Sequence, residues 1–469
     1  MSAANDPVKR RLVLRAPRAV AVAVACAVTV ATVPTPAAAQ RMPLIRDAEI
    51  EQLLRDYTRP ILGAARLTQQ NVKVTIINDR GFNAFVMDGR RIFVNAGALM
   101  ESQTPNQIIG VLAHETGHIA GGHLAKLRTE LANASTMAII GILLGLGAAV
   151  AGARSNSVGG NPAAVAMAAP TSMIQRSLLA YQRQHEEQAD RSGVKFLTET
   201  GQSARGMYET FKRFADQQLF AAQGADPYMM SHPMPRERIA ALSEMSRTQF
   251  YDKKDSPELQ LRHDMMRAKL SGFMDQPGVV ARRYPPADQS LPARYARAIS
   301  TYKHGDLRQA IAQIDALIQT QPNNPYFYEL KGQVLLEAGR PAEAVPPLRR
   351  AVAGAPNPLL IQVMLSQALI ETNDPKGADD AIKYLRQALL LDPDIADGYT
   401  QLAKAYGRKG DLPQADLAAA QAALARGDNR TARLLAIRAK ERLPVGSPGW
   451  VKADDIASFR PNGAPVQRP

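Results

Sequence analysis

Cysteine is all but absent from this sequence of 469 residues: Cys26 stands alone, and it lies within the first 39. A chain that sheds that segment has no thiol, so disulfides cannot hold it together and thiolate metal sites are excluded. Aromatic residues are scarce too, at 5% with a single tryptophan. No basic stretch is interleaved with them, so nucleic acid is not an expected partner. Charge is lopsided at +14, yet five of the basic residues and one acid sit in the first 39, leaving a surplus of ten. Such a surplus suits acidic partners or an anionic membrane surface, although a solvated surface accounts for it more simply. With nearly half of the residues apolar and 21% charged, the composition is that of a folded chain with two or three domains.

Uncharged runs are few. One is Ala19–Val33, preceded by Lys9, Arg10, Arg11, Arg15 and Arg18 and followed by Ala37-Ala38-Ala39. This order predicts a cleavable export signal over 1–39, cut near Ala39/Gln40, and a periplasmic destination. Acylation at Cys26 is the competing reading; the apolar run continues past it, and Ala23-Val24-Ala25 lacks the usual leading leucine. A second run, 134–153, is long enough to span a bilayer but contains Gly141, Gly145, Gly147 and Gly152. With the Gly-, Asn-, Ala- and Pro-rich 154–170, it is expected to form a lid, or a hairpin touching a membrane surface, rather than a span.

The richest local signal is His114-Glu115-Thr116-Gly117-His118. Imidazoles four residues apart share one helix face, so both can reach one Zn²⁺ while Glu115 serves as general base toward a water. Thr104-Pro105-Asn106-Gln107 offers an N-cap, a proline at the first helical position and a capping-box glutamine. Ile108, Ile109, Val111 and Leu112 predict that this helix is buried. The bland alternative is a helix with two ordinary histidines. Ahead of it, Ile50, Leu53, Leu54, Tyr57 and Ile61 predict an amphipathic helix within 40–66. Val72–Ile77, Ala84–Met87 and Arg91–Asn95 read as strands, the last two joined by a tight Asp88-Gly89 hairpin. An edge of such a sheet can take an extended substrate as a further strand.

A protease-type zinc site needs a third protein ligand and an open position. A third histidine is missing. His-x-x-Gly-x-x-His would need one at 124, where Leu124 stands, and His123 is one residue off, on the wrong side of the helix. The candidate is instead Glu186, in Arg183-Gln184-His185-Glu186-Glu187-Gln188-Ala189-Asp190, within a helix predicted over 172–200. Asp190, one turn on, would bond a ligating imidazole and fix its tautomer. A solvated charged face for Glu186 and Glu187 is the rival reading, and spacing alone favours it. His232, before Pro233 in a loop leading into a helix over 236–246, could plug the open metal position, stabilise an oxyanion, or merely cap a turn. Arg238 could share the electrostatic role but reads better as structural.

Together, His114-Glu115-x-x-His118 and, about 70 residues on, Arg183-x-x-Glu186-x-x-Ala189-Asp190 resemble the motifs of the HtpX/CAAX-prenyl-protease superfamily of zinc metallopeptidases. Asn83-Ala84-Phe85 and Ser231-His232-Pro233 look like its exported members, and the likeness is closest to periplasmic BepA-type, β-barrel assembly-enhancing proteases. It covers nearly the whole chain beyond the signal. The resemblance implies one Zn²⁺ per chain on His114, His118 and Glu186, with Asp190 behind the ligands and the His232 loop over the site. It also implies misassembled outer-membrane proteins as substrates and the barrel-assembly machinery as partner. Where the family has serine before the arginine of the second motif, this chain has Gln182.

From Leu291 the chain repeats. Pro322 to Pro356 spans 34 residues, the tetratricopeptide period, with Gly332, Ala344 and Ala351 where paired helices need small residues. Ala381, Ala388 and Pro393 recur after a three-residue insertion near Asp374-Pro375-Lys376. Ala415 and Ala422, then Ala432, Ala439 and Pro444, mark later units, and Ala310 an earlier one, giving four to five repeats. Stacked repeats leave a concave surface for peptides or proteins, or act as a rigid scaffold. The expected chain is mainly α: a signal peptide over 1–39, an HExxH zinc-metallopeptidase domain with a small β-sheet over 40–250, a helical connection over 251–290, an α-solenoid over 291–444 and an extended tail over 445–469. The expected activity is a zinc-dependent endopeptidase that degrades misassembled envelope proteins. Two others stay open: a chaperone or assembly scaffold with a latent protease, and a structural repeat protein with a vestigial site, which the intact Glu115 disfavours.

Overall fold

The computed structural model describes residues 43–87, 89–129, 182–218, 232–372 and 374–460. The expected signal with Cys26, the 134–153 run with its 154–170 neighbour, Asp88 and Ser231 lie outside the described residues. Asp47 opens α1 (Ala48–Ala64), its carboxylate accepting the Ile50 N–H at 2.9 Å, as an N-cap does. Ile50, Leu53, Leu54, Tyr57 and Ile61 fall on one face and are all buried. They pack with a four-stranded sheet ordered β1 (Leu44–Ile45), β2 (Lys73–Ile77), β4 (Arg91–Asn95), β3 (Ala84–Val86). β1 runs antiparallel to β2, β2 parallel to β4, and β3 antiparallel to β4 with Val86 opposite Ile92. The hairpin is present but not tight. Residues 87–90 separate its strands, and Gly89 takes φ +75°.

After β4, α2 (Ala96–Glu101) leads to α3 (Pro105–Ala120), which is buried without a break from Ile108 to Gly117. A helix apolar around its girth belongs inside a core. Around it lie α4 (123–129), α5 (182–199), α6 (Arg205–Gln218) and α7 (Arg236–Ser246). Leu197, Met207, Phe211, Phe214 and Leu242 close that core.

Next, α8 (Pro257–Met274) serves both halves: Met266 and Leu270 complete the first core, while Met265 joins Tyr295, Ile299 and Phe327. Beyond α9 (Pro277–Arg283) come five helix pairs. They are α10 (Leu291–His304) with α11 (Leu307–Thr320), α12 (Pro325–Glu337) with α13 (Pro341–Gly354), and α14 (Leu359–Glu371) with α15 (Pro375–Leu391). α16 (Ala396–Arg408) with α17 (Leu412–Ala425), and α18 (Asn429–Lys440) with α19 (Pro448–Ser458), complete the series. Ala310, Ala344, Ala351, Ala381, Ala388, Ala432 and Ala439 are buried where helices meet. In α17 the inward places go to Leu417 and Ala418, leaving Ala415 half-buried.

The last helix, Pro448–Ser458, corrects part of the extended tail expected over 445–469, of which 461–469 lie outside the described residues. Ser447 accepts the Trp450 N–H at 3.2 Å, Pro448 takes the first helical position, and Ala453 and Ile456 pack with Ala436 and Ala439. Pro448 thus opens a helix rather than extending the chain. Where the two halves meet, buried Lys269 of α8 holds Asp47 at 2.7 Å and Glu49 at 3.2 Å, with Glu329 of α12 at 3.8 Å. Among the described residues, no helix is long and apolar enough to cross a membrane.

Candidate metal centre

Thr104 is the N-cap of α3 and Pro105 its first residue, but the expected capping box does not form. Gln107 accepts instead from the Gln103 N–H at 2.7 Å, and the Asn106 N–H goes to the Asp255 carboxylate at 2.9 Å. An acid from outside the helix thus satisfies one of the orphan donors of its first turn. The Asn106 side chain donates to Ser203 O and accepts from the Gly206 N–H, both at 2.7 Å, which fastens α3 to α6.

His114, Glu115 and His118 follow in the second half of α3, and α5 crosses them at backbone distance. A Cβ on Gly117 would lie 2.7 Å from the Ala189 carbonyl oxygen. This crossing brings Glu186 and Asp190, one turn apart on α5, to the histidines. His114 and His118 face each other Nε2 to Nε2 at 3.0 Å. Glu186 puts Oε2 3.4 Å from the first nitrogen and Oε1 3.4 Å from the second. His232, from the chain just before α7, sets Nδ1 3.4 Å from His114 Nε2 and 3.0 Å from Glu186 Oε2.

One ligand-type atom from each of these four residues lies within 4.8 Å of all the others. Nitrogen and oxygen ligands of tetrahedral zinc, at 2.0–2.2 Å from the ion, stand about 3.3–3.5 Å from one another. Donor set and spacing therefore fit a metal ion. Beside them, both Glu115 oxygens are buried without a hydrogen-bond partner among the described residues, with His232 Nε2 at 3.4 Å.

Charge is balanced behind the cluster. Asp190 Oδ1 stands 2.9 Å from His114 Nδ1, the side of the ring that faces away from the other three residues. Arg238 has the structural role: at 4% exposure, its guanidinium reaches both Asp190 oxygens at 2.7 and 2.9 Å and Glu186 Oε2 at 2.8 Å. The two adjacent glutamates part company. Glu186 is buried, whereas Glu187 is exposed and pairs with Arg191 at 3.2 Å. Burial opposes ionisation of Glu186, but His232, His114 and Arg238 outweigh it and hold its carboxyl well below the usual range. Asp190 is likewise lowered against burial by Arg238 and His114. Glu115 goes the other way, raised by burial despite His232 and His114, which suits a group that accepts a proton.

His123 is not among the four, yet it is not remote either. α3 ends at Ala120, Gly122 takes φ +63°, and the chain turns back to place His123 Nδ1 3.0 Å from His118 Nδ1. A helical wheel puts His123 on the wrong side only if the helix continues, and it does not.

Residues 45–246 match Peptidase family M48, and residues 295–358 match a tetratricopeptide repeat. The chain is similar to the Beta-barrel assembly-enhancing protease of Yersinia pestis, 22% identical over 86% of this chain and 82% of that protein. A Putative beta-barrel assembly-enhancing protease of Vibrio cholerae is 25% identical over 80% of this chain and 76% of its own. Metalloprotease YcaL of Escherichia coli is 32% identical over a shorter stretch, 36% of this chain and 60% of that one. Among solved structures, MamA from Desulfovibrio magneticus is similar at 22% identity and TM-score 0.28, covering 37% of this chain and 87% of that chain. The buried His/Glu cluster on crossed helices and the repeats behind it thus have a common explanation: this chain is a metalloprotease whose residues 45–246 belong to peptidase family M48 and whose C-terminal half carries tetratricopeptide repeats.

Proposed function

We propose that the chain is an exported, periplasmic zinc endopeptidase that cleaves misassembled envelope proteins, with one Zn²⁺ held by His114, His118 and Glu186. The observation that carries this reading is the convergence of those three side chains beside Glu115, whose buried carboxylate has no hydrogen-bond partner among the described residues. Zinc in that place would act as a Lewis acid toward a scissile carbonyl and acidify a water. Glu115 would accept a proton from the attacking water and return it to the leaving amine. Asp190, with Oδ1 2.9 Å from His114 Nδ1, would hold that ring in one tautomer. Of the two sheet edges, β3 is the one packed against α3, so an extended substrate adding there as a strand lies along the site. The features of residues 1–39 support export. Similarity to proteins named for β-barrel assembly supports envelope substrates and the barrel-assembly machinery as partner of the repeats.

The metal assignment is tested by zinc analysis of the purified chain and its Glu186→Gln variant. About one zinc per chain is expected in the parent and, with one of three protein ligands weakened, a small fraction of that in the variant. Near-stoichiometric zinc in both would remove Glu186 from the ligand set.

His232 Nδ1 occupies the fourth corner of the group, where a protease needs an open position. This favours a resting enzyme that is latent, which also accommodates the alternative of a chaperone or assembly scaffold acting through the repeats. His232→Ala is then expected to keep its zinc and to raise turnover of an unstructured peptide about tenfold, equivalent to relieving about 1.4 kcal/mol. Equal or lower turnover would rule out the latch.

A further inference from the structure

We infer that His123 is a positioning residue of the metal centre: it fixes the tautomer and ring plane of His118, and Gly121 provides the room in which it does so. The inference rests on the reading of His118 as a metal ligand.

An imidazole that binds a metal through one nitrogen usually gives the N–H of the other to an acceptor, which settles its tautomer and direction. For His114 the group on that side is the Asp190 carboxylate, with Oδ1 2.9 Å from Nδ1. For His118 the atom in the equivalent place is Nδ1 of His123, at 3.0 Å. Two ring nitrogens at that distance share one proton. Because Nε2 of His118 faces His114 and Glu186, the proton of a neutral His118 belongs on Nδ1, and His123 Nδ1 accepts it. His123 then carries its own proton on Nε2, where Gln188 Oε1 stands 3.2 Å away to accept. A single arrangement of protons satisfies all three side chains.

Packing holds the same geometry. His185 stacks on the His123 ring with centroids 4.2 Å apart and planes 7° from parallel, and both rings are buried. His185 and Gln188 flank Glu186 on α5, so the brace ties the helix of one ligand to the ring of another. Space is the second, independent sign. A Cβ on Gly121 would lie 2.2 Å from His123 Nε2 and 2.6 Å from its Cδ2, leaving no room for both. Gly122, at φ +63°, then supplies the left-handed turn that returns His123 to α3.

The experiment is a zinc titration of the purified full chain and its variants in competition with a chromophoric chelator, repeated with Co²⁺ to record the visible spectrum. His123→Ala is expected to bind zinc about 10–100-fold more weakly and to shift the Co²⁺ bands. His123→Asn keeps an acceptor in place of Nδ1 and is expected within about threefold of the parent on the same scale. Gly121→Ala removes no hydrogen-bonding group, yet is expected to weaken zinc as His123→Ala does. Should His123→Ala not fold, His123→Leu, which fills the space without an acceptor, replaces it in the comparison. Parent-like affinity in the Ala or Leu variant, or an Asn variant as weak as either, would overturn the inference. A parent that binds no zinc would instead overturn the metal site on which it rests.

Discussion

Glu115→Gln should leave a protein that keeps its zinc and has lost its hydrolysis. Glutamine matches glutamate in size, and Glu115 is not among the four residues whose ligand atoms converge, so the metal-binding groups are untouched. What disappears is, among the described residues, the carboxylate at the cluster that has no hydrogen-bond partner and is placed to accept a proton. Glu186 and Asp190 are held ionised by Arg238 and the histidines, whereas burial raises Glu115. A positioned general base contributes about 10²–10⁴-fold to rate, and loss of that size is expected in cleavage of a fluorogenic peptide, with metal content measured on the same sample. The neutral side chain also relieves a desolvated carboxyl, so no loss of stability is expected. Cleavage at the parental rate would mean that another group takes the proton.

The second large effect concerns stability. Arg238→Met should destabilise the protein by about 3–5 kcal/mol, the range for removing one partner of a buried ion pair. Its guanidinium is shared between Asp190 and Glu186, both buried, and methionine leaves two acids facing one another across the α5 turn. The folded-state value of Asp190 lies below its ordinary one. The Arg238 contribution is therefore present in full above about pH 4, the unfolded-state range of a carboxyl, and is lost as pH falls through the lower folded value. Urea unfolding at neutral and acid pH measures both parts. The parent should lose more stability on acidification than the variant, and a neutral-pH difference under about 1 kcal/mol would show that Arg238 contributes no more than an exposed ion pair does.

Local pattern made much of this legible from residue order. The helical stripe of α1, the buried helix with its two histidines, the three longer strands and the phase of the repeats all depend on neighbours within a few positions or on a period. Other features depend on distant partners or on one dihedral. β1 has two residues and exists only because β2 offers an edge. Arg238 meets Asp190 across 48 residues of chain, and nothing beside it predicts the pairing. Glu186 and Glu187 are indistinguishable by spacing; the crossing of α3 and α5 separates them. Thr104 and Gln107 fit a capping pattern that does not form: Gln107 accepts from the Gln103 N–H instead, and Asp255, from far along the chain, takes the Asn106 N–H. The place of His123 is hidden for a local reason: spacing puts it on the far side of a continued helix, whereas the helix stops at Ala120 and Gly122 turns the chain back.

The close crossing at Gly117 and Ala189 has a bearing on the order in which the protein matures. Backbone contact, backed by Arg238 and the core around Phe211, sets the two helices before any ion arrives. A centre of this kind differs from small zinc modules that are unfolded until metal is bound. Contacts of that kind, made without the metal ligands, would let folding precede metal binding, so that the chain could fold first as an inert protein. On the zinc reading proposed above, hydrolysis would then start only when the ion reaches a site that is already in place.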